Sequence, residues 1–271
     1  MDALGDRLSC ALAIGGLDPG GGAGLAADLR AFAAAGVFGC AAASLITVQS
    51  TAGLRGVRPV PSQDMVAQVA EVLRHQRVRA VKVGALGSEA NVRALARLLA
   101  RHDSIPVVLD TPILPTRGRT RLLSVRAVAA VKKELMAVAT LVTVNLAEAR
   151  ALLGEPVRTV AEAHDATRAL VSTGARAVLV KGGHMEGEVA TDVLALGGTV
   201  TEFRAHRLVL PPVHGAGCTL ASLVAGRIAR RATDGLEDAE IIAAMRWAKR
   251  VHHAALAKAV DVGHGMRVLV F

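Results

Sequence analysis

The chain has 271 residues, of which 52% are hydrophobic and only 2% aromatic, and it carries a formal net charge of +9. This length suits one large α/β domain, and no apolar stretch approaches the ~18 uncharged residues of a membrane span. Because there is no tyrosine to stack on bases and the arginines are scattered along predicted helices, the charge does not indicate nucleic-acid binding. Cys10, Cys40 and Cys218 lie far apart, which argues against disulfides or a zinc site and predicts a reducing, cytoplasmic location.

Short apolar runs alternate with longer helical patterns along the chain. Strands are predicted at 8–14, 41–48, 80–83, 107–109, 141–144 and 177–180, with a hairpin at 189–196 and 200–203. Helices are predicted at 25–35, 62–76, 88–101, 124–138, 146–153, 159–172 and, as one helix or a pair, 236–260. Residues 49–53 are expected to form a polar loop, and Ser62 to cap its helix. This alternation implies a mostly parallel sheet covered on both faces, within one domain of residues 1–271.

Polar side chains follow the predicted strands at the points where the strands end. Taken singly, each is explained as a turn or capping residue. Taken together they lie at the carboxyl edge of the sheet, where open α/β sheets bind ligands. The residues are Asp18, Gln49, Asp110, Asn145, Lys181 and His184.

A glycine-rich stretch, Gly215-Ala216-Gly217-Cys218, runs directly into an apolar segment with helical spacing. The first amides of a helix have no intrahelical partner and lie at the positive end of its dipole, so such a turn is a ready anion site. A thiol placed there is expected to have a lowered pKa and to serve as a base or nucleophile. The alternative is a tight turn before a buried helix, with Cys218 as a small core residue.

The chain resembles the hydroxymethylpyrimidine/phosphomethylpyrimidine kinases of thiamine biosynthesis, in the ribokinase-like superfamily, from about residue 11 to residue 265. The resemblance implies a three-layer α/β/α sandwich with a mostly parallel central sheet. Order and spacing agree across several motifs, which makes it more specific than any single glycine motif. These motifs are Gly16-Leu17-Asp18-Pro19 with the glycines that follow, Thr47-Val48-Gln49, Val81-Lys82-Val83-Gly84, Val108-Leu109-Asp110, Val144-Asn145-Leu146-Ala147-Glu148, Val180-Lys181-Gly182-Gly183 and His214-Gly215-Ala216-Gly217-Cys218-Thr219.

The resemblance also implies roles for individual residues in ATP- and Mg²⁺-dependent phosphorylation of the pyrimidine alcohol and its monophosphate. Cys218 matches the base that accepts the hydroxymethyl proton. The remaining roles are an anion hole (Gly215, Ala216, Gly217), a pyrimidine pocket (Gly16, Asp18, Gln49), a nucleotide site (Asn145, Lys181, Gly182) and the acidic Mg²⁺ positions (Asp110, Glu148). The resemblance further implies a homodimer that binds only these small molecules.

The chain departs from the family pattern at several positions. Ala216 replaces a common threonine, Ala85 replaces a methionine of the pyrimidine pocket, and the lid motif reads Thr116-Arg117-Gly118. Ala216 is expected to be tolerated, because an anion hole uses backbone amides. The lid and pocket changes bear on substrate choice, so a pyridoxal or pyridoxine kinase of the same fold stays open as an alternative. A non-catalytic protein that binds the pyrimidine phosphate is a second, and a flavodoxin-like protein a third.

Overall fold

The structure is a computed structural model that describes residues 8–110, 112–113, 122–231 and 235–271. The predicted lid at residues 116–118 lies outside these ranges. None of the helices in the described ranges has the length and apolar character that crossing a bilayer requires.

Within the described ranges, nine strands form one sheet in the order β3-β2-β1-β4-β5-β6-β7-β8-β9. The six strands β1, β2, β4, β5, β6 and β7 are parallel, whereas β3, β8 and β9 at the two edges run antiparallel to their neighbours. The predicted mostly parallel sheet is therefore confirmed. The strands are β1 (Cys10–Leu17), β2 (Phe38–Ser50), β3 (Gly53–Pro59), β4 (Val78–Val83), β5 (Val107–Asp110), β6 (Leu141–Asn145), β7 (Ala177–Lys181), β8 (Val189–Leu196) and β9 (Thr199–His206).

Helices cover both faces of this sheet, and each face has its own apolar core. One core packs β-strand residues such as Leu12 and Ile14 against α2 to α6, and the other packs Ala11 and Ala13 against α1, α7 and α8. The three-layer α/β/α arrangement follows from this alternation of strand side chains. The helices are α1 (Gly24–Ala35), α2 (Ser62–His75), α3 (Glu89–Leu99), α4 (Val125–Ala130), α5 (Leu146–Leu153), α6 (Val160–Val171), α7 (Ala216–Arg231) and α8 (Asp238–Ala257).

Two local predictions were wrong. Residues 49–53 are not a loop, because β2 continues to Ser50 and pairs with β3 in an antiparallel hairpin. Ser62 does not cap α2; Pro61 precedes the helix and its carbonyl accepts the first helical amide hydrogen bonds. The helix predicted at 124–138 is confirmed: Ser124 caps α4, and beyond Ala130 the chain continues as a π-helix to Leu135 and a 3₁₀ helix to Val138.

The strand order places a binding crevice at β1. β1 lies between β2 and β4. After β1 the chain adds β2 and β3 toward one edge of the sheet, and from β4 onward it adds strands toward the opposite edge. The helices that follow β1 and β4 lie on opposite faces, α1 on one and α3 on the other. Ligands of open α/β sheets bind at such a reversal, beyond the carboxyl ends of the strands.

Candidate active site

A pocket opens at the carboxyl ends of β1, β2 and β4, where the strand order reverses. Four residues singled out in the sequence line it together: Gly16, Asp18, Gln49 and Cys218. Ala85, which stands where relatives commonly carry methionine, lines it too. We call this cavity the acceptor pocket.

A hydrogen-bonded cluster of Asp18, His214 and Gln49 forms one wall of the acceptor pocket. Asp18 accepts hydrogen bonds from the amides of Gly20 and Ala23 and one from His214 Nε2, at 2.8 Å. Burial opposes ionisation of Asp18, but the hydrogen bonds from His214 and Ala23 outweigh it, and the pKa of this carboxyl lies below its ordinary value. Asp18 therefore acts as an anchor for the glycine loop, which its position in the sequence alone did not show.

The Gln49 side chain is oriented by this cluster. Its amide nitrogen lies 3.1 Å from His214 Nε2, and Gln49 helps to lower the pKa of the neighbouring Asp18 carboxyl. Because a carboxylate only accepts hydrogen bonds, the amide nitrogen is the end of Gln49 that faces Asp18 and His214. The amide oxygen of Gln49 is the end left to accept a hydrogen bond from a ligand.

A second buried cluster lies at the back of the acceptor pocket and was not foreseen as part of the site. Lys82 Nζ contacts both carboxylate oxygens of Asp28, at 2.8 and 3.0 Å, and Ser222 lies 2.6 Å from the same carboxylate. Lys82 is only 1% exposed, yet it stays charged, because the Asp28 carboxylate outweighs the cost of burial and raises the pKa of the lysine. The signal was available: a lone lysine inside a strand of valines must have a buried partner.

Asp110 and Lys181, from the ends of β5 and β7, form a buried ion pair with an Nζ to Oδ1 distance of 2.8 Å. The same oxygen accepts a hydrogen bond from Thr143 at 2.9 Å. Burial opposes ionisation of both groups, but each stabilises the charge of the other. The pKa of Asp110 is therefore lowered and that of Lys181 raised.

Glu148 lies beside this pair, and its surroundings disfavour the ionised form of its carboxyl group. It forms the capping box of α5 with Asn145: the Asn145 amide donates to Glu148 Oε2 at 2.7 Å, and the Glu148 amide donates to Asn145 Oδ1 at 2.9 Å. Burial, together with the nearby Asp110 carboxylate, raises the pKa of Glu148 to about 7 despite the Lys181 ammonium. The cluster of Asp110, Lys181 and Glu148 therefore has one carboxyl more than its cations neutralise, and a further cation would stabilise it.

The carboxylates of this cluster could bind Mg²⁺ only together with phosphate groups of a ligand, as nucleotide-binding sites do. Among the described residues no group of three or more His, Cys, Asp or Glu side chains could enclose a metal. Mg²⁺ usually keeps several waters and binds one or two carboxylates together with substrate phosphates. Asp110 and Glu148 supply such a pair, so the residues present fit a metal held jointly with phosphate oxygens.

Helix α7 begins beside this cluster with the predicted glycine-rich turn. Gly215 has a φ of +75°, and a Cβ there would collide with the carbonyl oxygen of Gly22, so only glycine fits. At Gly217 a Cβ would lie 3.4 Å from Lys181 Nζ, which brings the ammonium against the turn. Since α7 starts at Ala216, its first amides have no intrahelical partner. The amides and the ammonium together make a site suited to a phosphoryl group.

Cys218, in the first turn of α7, is partly exposed to the acceptor pocket, but its thiol differs from the expectation. Burial, followed by the Asp110 carboxylate, raises the pKa of the thiol above its ordinary value, and the ammonium groups of Lys82 and Lys181 compensate only in part. The prediction of a lowered pKa is therefore wrong for the ligand-free protein. The lowering of the thiol pKa expected from the helix N-terminus is outweighed by burial and by the carboxylates of Asp110, on β5, and Asp28, on α1.

Gly182, predicted to lie in the nucleotide site, is held by Asp192, which belongs to a motif of the family resemblance (Thr191-Asp192-Val193-Leu194) but was given no role in the sequence analysis. Its amide donates to Asp192 Oδ1 at 2.9 Å, and Lys249 of α8 pairs with the other carboxylate oxygen. His184, also noted at a strand end, is exposed and lines neither the acceptor pocket nor the charged cluster.

Comparison with known proteins decides the family. The phosphomethylpyrimidine kinase family matches residues 18–269 of the chain. The chain belongs to this family. It is thus a kinase, and the family resemblance seen in the sequence is confirmed.

Individual relatives and solved structures agree with this assignment. The hydroxymethylpyrimidine/phosphomethylpyrimidine kinase of Rhizobium meliloti is 38% identical over 258 residues, which cover 94% of each chain. An ADP complex of Bacillus subtilis pyridoxal kinase superposes with a TM-score of 0.85 at 27% identity and covers 97% of each chain. Phosphomethylpyrimidine kinase from Clostridium difficile superposes with a TM-score of 0.76 at 28% identity, covering 91% of this chain and 99% of the other. The ribokinase-like fold is therefore confirmed.

Proposed function

We propose that this kinase transfers the γ-phosphoryl group of ATP to 4-amino-5-hydroxymethyl-2-methylpyrimidine and to its monophosphate, as a step of thiamine biosynthesis. One observation carries the proposal. A pocket with an orienting amide, Gln49, and a thiol, Cys218, opens directly beside a buried cluster of charges at the start of α7. The names of the family and of its relatives agree with this chemistry.

The acceptor pocket supports the choice of an aminopyrimidine. With its nitrogen turned toward His214 and Asp18, Gln49 presents a carbonyl oxygen to the ligand. An exocyclic amine donates to such an oxygen, and pyridoxal has no amine at its ring. Ala85 in place of a larger side chain leaves room at the wall of this pocket.

The charged cluster supports phosphoryl transfer. Lys181 and the first amides of α7 face one small volume, so they would hold the phosphoryl group and stabilise its equatorial charge. Bound together with the phosphates, Mg²⁺ would neutralise charge on their oxygens from the side of Asp110 and Glu148. Cys218 lies between this cluster and the acceptor pocket, where a base could accept the proton of the attacking hydroxyl. Asn145 and Gly182 border the side assigned to the nucleotide.

A coupled assay of ATP consumption tests the proposal. The pyrimidine alcohol, its monophosphate and pyridoxal are supplied separately at equal concentrations. Turnover with both pyrimidines that exceeds turnover with pyridoxal supports it. The likeness to the Bacillus subtilis pyridoxal kinase makes pyridoxal the second candidate acceptor. A preference for pyridoxal would replace the proposal, and ATP turnover with none of the three would refute both.

We also propose that residues 1–271 act as one domain in a cytoplasmic homodimer. An apolar face on β1 and β2 supports the dimer: Leu17, Ile46 and Val48 are 43%, 49% and 56% exposed, and Leu17 pairs with Ile46 in register. Sedimentation equilibrium should show a dimer, and Val48→Lys should shift it to a monomer that circular dichroism shows to be folded, with a melting temperature that no longer depends on protein concentration. A wild-type monomer at micromolar concentration would contradict the dimer.

A further inference from the structure

Helix α8 reaches the back of the phosphoryl site through two side chains on one of its faces. Lys249 and His252 are three positions apart, so they project from the same side of the helix. His252 is only 9% exposed, and its Nε2 donates to the carbonyl oxygen of Ala216 at 2.8 Å. Ala216 is the first residue of α7, in the glycine-rich turn.

The hydrogen bond to Ala216 constrains the next amide as well. The carbonyl of Ala216 and the N–H of Gly217 belong to one planar trans peptide, in which the two groups point in opposite directions. A donor that holds the carbonyl toward α8 therefore aims the Gly217 N–H away from α8. That amide is one of the unpartnered donors at the start of α7, and Lys181 lies beside it.

Lys249 acts on the neighbouring loop in the same way. It pairs with Asp192, whose other oxygen accepts the Gly182 amide. The side-chain exposure of Lys249 is 15% and that of Asp192 is 3%, so the pair is largely removed from water. One face of α8 thus holds the start of α7 directly, through His252, and the Gly182 segment indirectly, through the Lys249–Asp192 pair.

We propose that His252 is a positioning residue for phosphoryl transfer, which aims the amides at the start of α7 by holding the carbonyl of Ala216. The inference rests on the proposed phosphotransferase function and adds a residue that touches neither substrate. We expect His252 to lower the free energy of the transition state rather than to strengthen substrate binding, because amides stabilise a transferring phosphoryl group only when they point at its oxygens.

His252 remains a neutral donor across the working range of pH. Burial lowers its pKa to about 4, and although Asp192 and the Ala216 carbonyl favour the charged form, Lys249 and Lys181 oppose it. A single N–H on Nε2 is sufficient for the contact with Ala216. The positioning therefore does not depend on protonation of the imidazole.

Three variants of the full chain test the role. His252→Leu removes the donor, whereas His252→Gln keeps a side-chain N–H. His253→Leu is the matched control, because His253 also hydrogen-bonds a backbone carbonyl, that of His206, at 2.9 Å, but does so away from the site. Removing one such amide from an anion hole lowers turnover about 10²–10³-fold, so misaiming it should lower kcat on the order of 10-fold.

We expect His252→Leu to lower kcat with the KM for the pyrimidine alcohol unchanged, His252→Gln to recover most of the loss, and His253→Leu to match wild type. A lowered melting temperature with near-wild-type kcat in His252→Leu would overturn the role, as would failure of the glutamine to rescue. A measurement without an acceptor substrate covers the case of a wild-type protein that turns over none of the three acceptors. Calorimetry compares ADP with a methylene-bridged ATP analogue, and the preference for the analogue should fall in His252→Leu; an unchanged preference would also overturn the role.

Discussion

The two sides of the site differ in how they hold their polar groups. The acceptor side is a network of hydrogen bonds around one carboxylate, in which Asp18 accepts from the glycine loop and from His214, and His214 contacts Gln49. The phosphoryl side consists of buried charges, in which Asp110 and Lys181 compensate each other and Glu148 is left over. The first arrangement fixes the shape and polarity of a pocket, and the second prepares a place for phosphate and a cation.

This difference predicts a division of labour. A change on the acceptor side should alter which alcohol binds, because it changes the hydrogen bonds offered to a ring. A change on the phosphoryl side should alter turnover or metal dependence, because it changes the charge that the site can stabilise. Cys218 lies where the two sides meet, so it gives the sharpest test.

Cys218→Ala should lower kcat by ~10²–10⁴-fold while both substrates bind almost normally, which is the usual contribution of a general base. Cys218→Ser should recover little, whereas Cys218→Asp should recover part. Because the thiol has a raised pKa in the free protein, kcat of the wild type should rise with pH, and that rise should be absent from the aspartate variant. Steady-state kinetics between about pH 6 and pH 9 measure both effects.

Cys40→Ala is the matched control, since Cys40 is equally small and is buried in β2, outside the site. It should lower the melting temperature without changing kcat. If Cys218→Ala behaves like this control, with near-wild-type kcat and a lower melting temperature, Cys218 is a core residue and the base assignment is wrong.

Glu148→Gln should raise the Mg²⁺ requirement on the order of 10-fold or more and lower turnover, with the fold intact, because glutamine also completes a capping box. The wild-type carboxyl, with a pKa of about 7, ionises as pH rises, so Mg²⁺ should act at lower concentration at pH 8 than at pH 6. The variant should lose this pH dependence. Titration of Mg²⁺ against ATP turnover at both pH values measures it.

Glu162→Gln is the control for that experiment, because Glu162 forms the same capping box on α6, on the exposed surface. It should leave the Mg²⁺ titration unchanged. Unaltered Mg²⁺ dependence in Glu148→Gln would exclude Glu148 from the metal site, and the phosphoryl side would then lack the pair of carboxylates proposed to bind the cation.

The smallest expected effect concerns stability. His252 has a folded-state pKa of about 4, below the ordinary value of 6.5, so the unfolded chain binds the extra proton between these values. The corresponding stability is complete above pH 6.5 and is lost as pH falls toward 4. Between pH 7 and pH 5 the wild type should lose ~2 kcal/mol more unfolding free energy than His252→Gln, measured by urea denaturation. Equal losses would show that His252 titrates normally.

Much of the fold was predictable because its signals are local. Alternating apolar runs and helical patterns indicated the layers, and the polar residues at strand ends indicated the edge that carries the site. Lys82 and His252 were missed although signals existed. The buried positions Ile241, Met245 and Ala248 of α8 recur at helical spacing, and the next position in that series is His252.

Other features depend on residues far apart in the chain and had no local signal. The raised pKa of the Cys218 thiol results from burial and from Asp110, more than a hundred positions earlier. The contact between Gln49 and His214 joins β2 to a short strand, β10 (Val213–His214), that pairs with β11 (Arg267–Val268) near the carboxyl end. Such contacts follow from the tertiary structure rather than from spacing.

The division between acceptor and phosphoryl sides is tested most directly by the KM values of Gln49→Leu for the pyrimidine alcohol and for ATP. Leucine leaves the ring amine without its acceptor, and a stranded polar group costs ~1–3 kcal/mol. We therefore predict that the KM for the pyrimidine alcohol rises about 10- to 100-fold while the KM for ATP stays within about twofold of wild type. Equal weakening of both substrates, or no weakening of the alcohol, would contradict the division and remove Gln49 from the acceptor pocket.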